Sequence, residues 1–161
     1  MEPRIDLFAD RTAAAFGKRF ANASLVIANS SLPKSTQELV SLRASQINGC
    51  GFCTDMHTKD AAAAGETAQR LHLVAAWREA TVFDDAERAA LAFAEEGTRL
   101  ADAHTGVSDD TWALVRKHYD DEQAAALVCL VALINAANRI NVIARTPAGS
   151  YEPGMFAAMA G

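Results

Sequence analysis

The stretch Glu38-Leu39-Val40-Ser41-Leu42-Arg43-Ala44-Ser45-Gln46-Ile47-Asn48-Gly49-Cys50-Gly51-Phe52-Cys53-Thr54-Asp55-Met56-His57 contains two helical patterns with a break between them. Ser35 and Glu38 have the S-x-x-E spacing of a capping box, so a helix is expected to start near Ser35. Val40, Ala44 and Ile47 recur at three and four residues and give it an apolar stripe. Asn48-Gly49 ends it, because glycine adopts the left-handed conformation that closes a helix. A second helix is expected from about Cys50 to Ala64, with Gly65 as its stop. If the chain reverses at Asn48-Gly49-Cys50, the two helices run antiparallel as a hairpin.

Similar patterns continue on both sides. Ile5, Ala9, Ala13, Phe16 and Phe20 form one stripe, widened by Phe8, and predict a helix over about 5–21, with a shorter one over 23–28. Asn29 to Pro33 is a loop. Thr67 to Glu79 carries Leu73, Val74, Trp77 and Ala80 on one side. Asp84 or Asp85 caps a helix bearing Ala86, Ala90, Phe93 and Leu100. Ser108 opens another with Trp112, Leu114 and Val115. The pattern Asp120 to Gln123 caps a last long helix to about Arg145, which Thr146-Pro147-Ala148-Gly149 ends. Nothing alternates with the period of a strand. The expected fold is all-α, a bundle of helical hairpins of about seven helices, with one domain over 1–150 and a tail over 151–161 that lies mobile or on a partner subunit.

Composition agrees. The chain has 161 residues, half of them hydrophobic by a broad count and rich in alanine, with only 9 glycines and 4 prolines. That suits one helical domain with a real core. A net charge of −5 argues against a nucleic-acid partner. Acidic residues interrupt the N-terminus and no apolar signal segment follows, and the longest apolar run, Ala124 to Ile134, is too short to span a bilayer. A cytoplasmic protein without a membrane partner is the expectation. In that reducing compartment three cysteines do not suggest a disulfide scaffold.

Two of those cysteines lie three apart, and His57 follows the second by four. On a helix these spacings put all three side chains on one face. A helix start stabilises an anion, and a nearby imidazole can take a thiol proton. A second thiol in reach can attack a sulfenic acid or mixed disulfide formed on the first. This is dithiol redox chemistry. A haem attachment motif would need histidine directly after the second cysteine, where Thr54 stands. Zinc could use Cys50, Cys53 and His57, but no second ligand pair accompanies them; Cys129, His72 and His104 are isolated. Simple packing of two small thiols is the third reading.

Glu38 has two possible duties. As the third residue of its helix it would close the capping box. Alternatively, it lies about 15 Å from the turn, and His57 about 10 Å down the other arm. The offset of about 5 Å lets a carboxylate orient the imidazole, directly or through a water. Elsewhere, Asp55 is expected to be an exposed acid, and Phe52 and Met56 to pack beside the thiols. Cys129 is expected in the core, and His72, His104 and His118 at the surface or paired in the core. Asn135, Asn138, Arg139 and Asn141 suggest a helix–helix hydrogen-bond network or a subunit contact. The acidic runs at Asp84 and Glu95-Glu96 suggest solvated faces.

The segment Glu38 to Cys50, continuing through Cys53, Met56-His57-Thr58-Lys59-Asp60-Ala61 and Gly65-Glu66-Thr67, resembles the carboxymuconolactone decarboxylase / AhpD-like alkylhydroperoxidase family. Trp77-Arg78-Glu79, Glu87 to Ala92, Ile134-Asn135 and Asn138-Arg139 extend the likeness over about 15–145. It implies an AhpD-like fold, homo-oligomers (trimers or hexamers) and a thiol-dependent peroxidase acting on hydroperoxides, with a redox-active disulfide and no other cofactor. By position, Cys53 would be the peroxidatic thiolate, Cys50 the resolving thiol, and His57 with Glu38 the proton relay. An external thiol or lipoylated protein would be the reductant, and a peroxiredoxin a further partner. The best-known branch has a histidine just before the second cysteine. Phe52 stands there instead, which implies a shorter relay. The decarboxylase branch lacks the cysteine pair, which disfavours decarboxylation. General thiol–disulfide exchange is the close alternative.

Overall fold

The computed structural model describes residues 2–7, 9–102 and 106–155. Phe8, His104 and the tail beyond 155 lie outside them, so the expectations placed there have no structural counterpart. Among the described residues there are seven α-helices, one 3-10 turn and no strand: α1 (Arg11–Ala28), α2 (Lys34–Ile47), α3 (Gly51–Ala63), α4 (Ala68–Leu73), the 3-10 turn Val74–Ala76, α5 (Asp85–Thr98), α6 (Asp109–His118) and α7 (Asp121–Ala144).

Most starts follow local capping chemistry. Asp84 with Glu87, and Asp120 with Gln123, form capping boxes; Ser108 accepts from Thr111 N and Thr67 from Arg70 N. Four expectations are corrected. The predicted 5–21 and 23–28 helices are one helix, and it begins only after Asp10, whose carboxylate accepts from Thr12 N and Ala13 N. That bond satisfies two amide groups at a helix start, which the Ile5 stripe cannot do. The Thr67–Glu79 helix stops at Leu73 and tightens into the 3-10 turn. Leu100 lies beyond the end of α5 and is exposed. Finally, α2 starts one residue earlier than expected, with Pro33 at its cap and no side-chain capping bond. Ser35 is therefore inside the first turn, and the Ser35/Glu38 capping box does not form.

The hairpin of α2 and α3 sits at the centre, with α2 packed on α3, α5 and α7. Neighbours on several sides bury nearly the whole α2 surface. Leu39 and Leu42 enter one core cluster with Val74, Trp77 and Leu91. Val40 enters a second with Phe93, Val115 and Leu127. Ala44 enters a third with Cys50, Cys53 and Ile134. The single stripe expected for α2 is thus too narrow. Its buried polar side chains find local partners: Gln37 Nε2 donates to Leu32 O at 2.7 Å and Ser45 Oγ to Ser41 O at 2.7 Å. By length and composition α7 could cross a membrane. Here it packs against α1, α2, α3, α5 and α6 and buries Asn135 and Asn138.

The acidic run at Asp84 is exposed, as expected, but the Glu95-Glu96 run is not simply solvated. Glu95 is 2% exposed. It accepts from Arg43 Nε at 2.7 Å, from Trp77 Nε1 at 3.0 Å and from Arg78, tying α5 to α2 and to the segment after the 3-10 turn. Glu96 accepts from Ser108 N at 2.7 Å and from Thr111 Oγ1 at 2.6 Å, holding the start of α6. Sequence spacing could not show these partners, which come from other helices. Burial pushes the Glu95 carboxyl up, but Arg78, Trp77 and Arg43 outweigh it and hold the group below its ordinary value. Glu95→Ala would leave Arg43 and the Trp77 indole without their acceptor. A loss of about 3–5 kcal/mol is expected, read from urea unfolding at neutral pH. The Glu95 contribution is present above the unfolded carboxyl value of about 4.3 and fades as pH falls through the lower folded one. The wild-type advantage over the variant should therefore shrink on acidification below about pH 4.5.

Candidate active site

The turn between α2 and α3 sets the site. Gly49 takes φ +65, which L side chains rarely adopt. Cys50 N then donates to Ser45 O at 3.0 Å. Asn48 Nδ2 donates to Asn135 Oδ1 at 2.9 Å and to Asn138 Oδ1 at 2.8 Å, so α7 anchors the turn. Cys50 is extended (φ −82, ψ 97) and is the N-cap of α3, one step outside the helix expected to contain it. Its Sγ accepts from Cys53 N at 3.4 Å. A sulfur thus does the job usually done by a serine or aspartate oxygen.

Both cysteines are free and buried, at 1% and 0% exposure. The Cys53 thiol hydrogen-bonds Cys50, and this is the main reason the Cys50 thiol is lowered to about 7. Burial opposes the shift; the Cys53 amide, Asn138 and the His57 charge reinforce it. Cys53 is pushed strongly upward, first because it donates to Cys50 and then by burial. The hydrogen bond between the two thiols thus favours loss of a proton from Cys50 and disfavours it from Cys53.

Glu38 and His57 meet across the hairpin, with Oε2 2.8 Å from Nδ1. Both side chains are largely buried, at 28% and 14% exposure. Freed from capping, Glu38 orients the imidazole and leaves Nε2 for other work. All four expected residues, Cys50, Cys53, His57 and Glu38, thus lie on the two facing arms of one hairpin.

Other expectations are corrected here. Cys129 is exposed on α7, because it falls on the face of that helix turned away from the bundle. His72 is exposed, as expected, and His118 half-buried. Asp55 is half-buried: Lys59 Nζ donates to Oδ2 at 3.2 Å and Gly149 N donates to the same oxygen at 2.8 Å. Gly149 belongs to a strap formed after α7. Arg145 turns the chain with φ 56, and residues 146–154 return along α3. Lys59 also donates to Tyr151 O at 2.8 Å, and Tyr151 OH to Asp60 Oδ2 at 2.8 Å. Tyr151 is 2% exposed and meets Phe52 edge-on at 6.4 Å. Burial and then Asp60 push its phenol up to about 12. Ala148 lies so near Gly51 that a Cβ there would sit 3.4 Å away. The sequence reading missed the role of Tyr151, whereas the expected helix–helix network forms: Asn48 joins Asn135 and Asn138, and Asn141 Nδ2 donates to Cys53 Sγ at 3.5 Å. Among the described residues, no group of three or more His, Cys, Asp or Glu side chains is arranged to hold a metal ion.

The family model for carboxymuconolactone decarboxylases matches residues 12–96, more than half the chain, including all four site residues. The chain belongs to the carboxymuconolactone decarboxylase family. The uncharacterized protein YdfG of Bacillus subtilis is 43% identical over 113 residues, covering 70% of this chain and 76% of its own. The uncharacterized protein YnjA of Escherichia coli is 31% identical over 112 residues, covering 70% of this chain and 60% of its own. A crystal structure of an Agrobacterium tumefaciens protein of unknown function, described as a candidate antioxidant defence protein AhpD, superposes with TM-score 0.84 at 32% identity. It covers 93% of this chain and 100% of that one. The debrominase Bmp8 superposes with TM-score 0.72 at 20% identity over 86% of this chain and 71% of its own, a likeness of fold alone. Within the carboxymuconolactone decarboxylase family, this member thus has the all-helical AhpD-like fold and carries a dithiol at the start of α3.

Proposed function

We propose that this family member is a thiol-dependent peroxidase that reduces hydroperoxides through a Cys50–Cys53 dithiol/disulfide cycle. The observation that carries the reading is the 2.8 Å Glu38–His57 contact on the hairpin whose turn holds the buried thiol pair. A metal or packing role would not call for this combination. The roles follow the family resemblance. His57 takes the Cys50 proton; Cys53 is the attacking thiol, so its own proton then passes to the Cys50 thiolate. The Cys53 thiolate attacks the terminal oxygen of the hydroperoxide; the O–O bond breaks, an S–O bond forms, and the alkoxide takes a proton from the His57 imidazolium. Cys50 sulfur then attacks the sulfenic acid. The S–S bond forms, and hydroxide leaves with the Cys50 proton as water. In sum, dithiol plus ROOH gives disulfide plus ROH plus water.

A disulfide inside a buried hairpin needs an external dithiol to reopen it. We assign that part to a cytoplasmic thiol or lipoylated protein, with a peroxiredoxin as a further partner. We also infer a homo-oligomer, a trimer or hexamer, supported by apolar side chains left exposed on α1 (Phe16 and Val26) and α7 (Val128 and Ile143). The test is steady-state turnover with an alkyl hydroperoxide and a dihydrolipoyl reductant. Consumption of peroxide in step with reductant is expected. Reduction of a disulfide substrate without peroxide consumption would instead make the protein a general thiol–disulfide oxidoreductase.

A further inference from the structure

A buried thiolate needs donors, and this site supplies two amides whose orientation is dictated by their other partners. Asn141 Nδ2 lies 3.0 Å from Ala137 O and 3.5 Å from Cys53 Sγ. A carbonyl oxygen only accepts, so the atom facing it must be the amide nitrogen, and its second hydrogen is left for the sulfur. Asn138 is fixed by a longer chain of bonds. Ser45 Oγ donates to Ser41 O at 2.7 Å, so it accepts from Asn138 Nδ2 at 3.0 Å. Asn138 Oδ1 meanwhile accepts from Asn48 Nδ2 at 2.8 Å. The Asn138 amide also lies near enough to both thiols to pull each of them down. Asn48 continues the chain to Asn135, whose own nitrogen donates to Thr98 Oγ1 at 3.0 Å and Val131 O at 2.8 Å. Flipping the Asn138 amide would bring donor against donor at Asn48.

We infer that Asn141, with Asn138, is an anion-holding site for the Cys53 sulfur, placed to receive the charge when the proton moves from Cys53 to Cys50. Backbone N–H at the α3 start holds the anion on Cys50, and α7 amides hold it on Cys53. The two placements of one charge are thereby both solvated inside a dry site. The inference rests on the dithiol reading but concerns where the charge sits, not what it attacks. Asn141 is the better probe, because Asn138 is 1% exposed and part of the wider network.

The experiment uses the full chain carrying Cys50→Ser and Cys129→Ser, so that Cys53 is the sole thiol. Its ionisation is followed by ultraviolet thiolate absorbance against pH, which needs no reagent access. Adding Asn141→Leu removes the donor and should raise the titration midpoint by about one unit, or about tenfold less thiolate at a given pH below it. Asn141→Asp keeps the size but offers an acceptor, so it should raise the midpoint further; it also serves if the leucine variant fails to fold. Midpoints equal to the parent's in the folded variants would overturn the inference. A raised midpoint beside a wild-type chain that never consumes peroxide would keep the anion site and remove the peroxidase reading. Peroxide consumption with an unmoved midpoint would do the reverse.

Discussion

Cys53→Ser is expected to lower hydroperoxide consumption by about three orders of magnitude or more, because a hydroxyl in that place cannot become a sulfenic acid or close a disulfide. The fold should survive, since the two side chains have nearly the same size and Cys53 lies in a small cluster with Ala44, Cys50 and Ile134. Cys50→Ser should behave differently. The first oxidation would still occur, more slowly, with His57 as the base for the Cys53 proton, leaving a protein heavier by one oxygen at Cys53, but no disulfide would form and turnover would stop. Cys129→Ser should match the wild type, since that thiol is exposed on α7 and outside the Cys50–Cys53 cluster. Peroxide loss measured beside intact-protein mass separates the three. Equal loss of both reactions in Cys50→Ser and Cys53→Ser would mean that the sulfurs do not divide the work as assigned.

His57→Ala carries the second large effect. Removing a general acid–base group costs about 10²–10⁴-fold in rate. Its electrostatic part also has a sign. The His57 charge helps lower the Cys50 thiol, whose value of about 7 belongs to the coupled pair. The wild-type single-turnover rate should therefore rise as pH increases through about 7. In His57→Ala that rise should move to higher pH, since the helping positive charge is gone. Glu38→Gln should lower the rate by a smaller factor, because the amide still reaches the ring but no longer carries a charge to favour imidazolium. Rate against pH for the three proteins is the check. An unshifted profile in His57→Ala would detach the histidine from the thiols.

The hairpin and its four candidate residues were legible because they are local. Asn48-Gly49 marks the reversal, and short spacings place Cys50, Cys53, His57 and Glu38 on facing arms. Capping residues at Asp84, Ser108 and Asp120 were legible for the same reason. What depends on distant partners was not. Ser35-x-x-Glu38 looks like a capping box, yet the helix begins at Lys34 and Glu38 is claimed by His57, nineteen residues away. Glu95 looks solvated until Arg43 and Trp77 arrive from other parts of the chain. Apolar character alone suggested a buried Cys129, but it falls on the outward face of α7. The strap that brings Tyr151 against Phe52 depends on Asp55, Lys59 and Asp60 meeting a segment about ninety residues later. The division of charge between two sulfurs is equally invisible in a C-x-x-C spacing. It arises because Cys53 donates to Cys50, the sulfur that caps α3.

The most direct measurement mixes the fully reduced protein with an alkyl hydroperoxide in a stopped-flow instrument without added reductant, then maps the cysteines by mass spectrometry. One peroxide consumed per chain, with a single new bond joining Cys50 to Cys53, is the predicted result. Peroxide left intact while both thiols remain reduced would contradict the account.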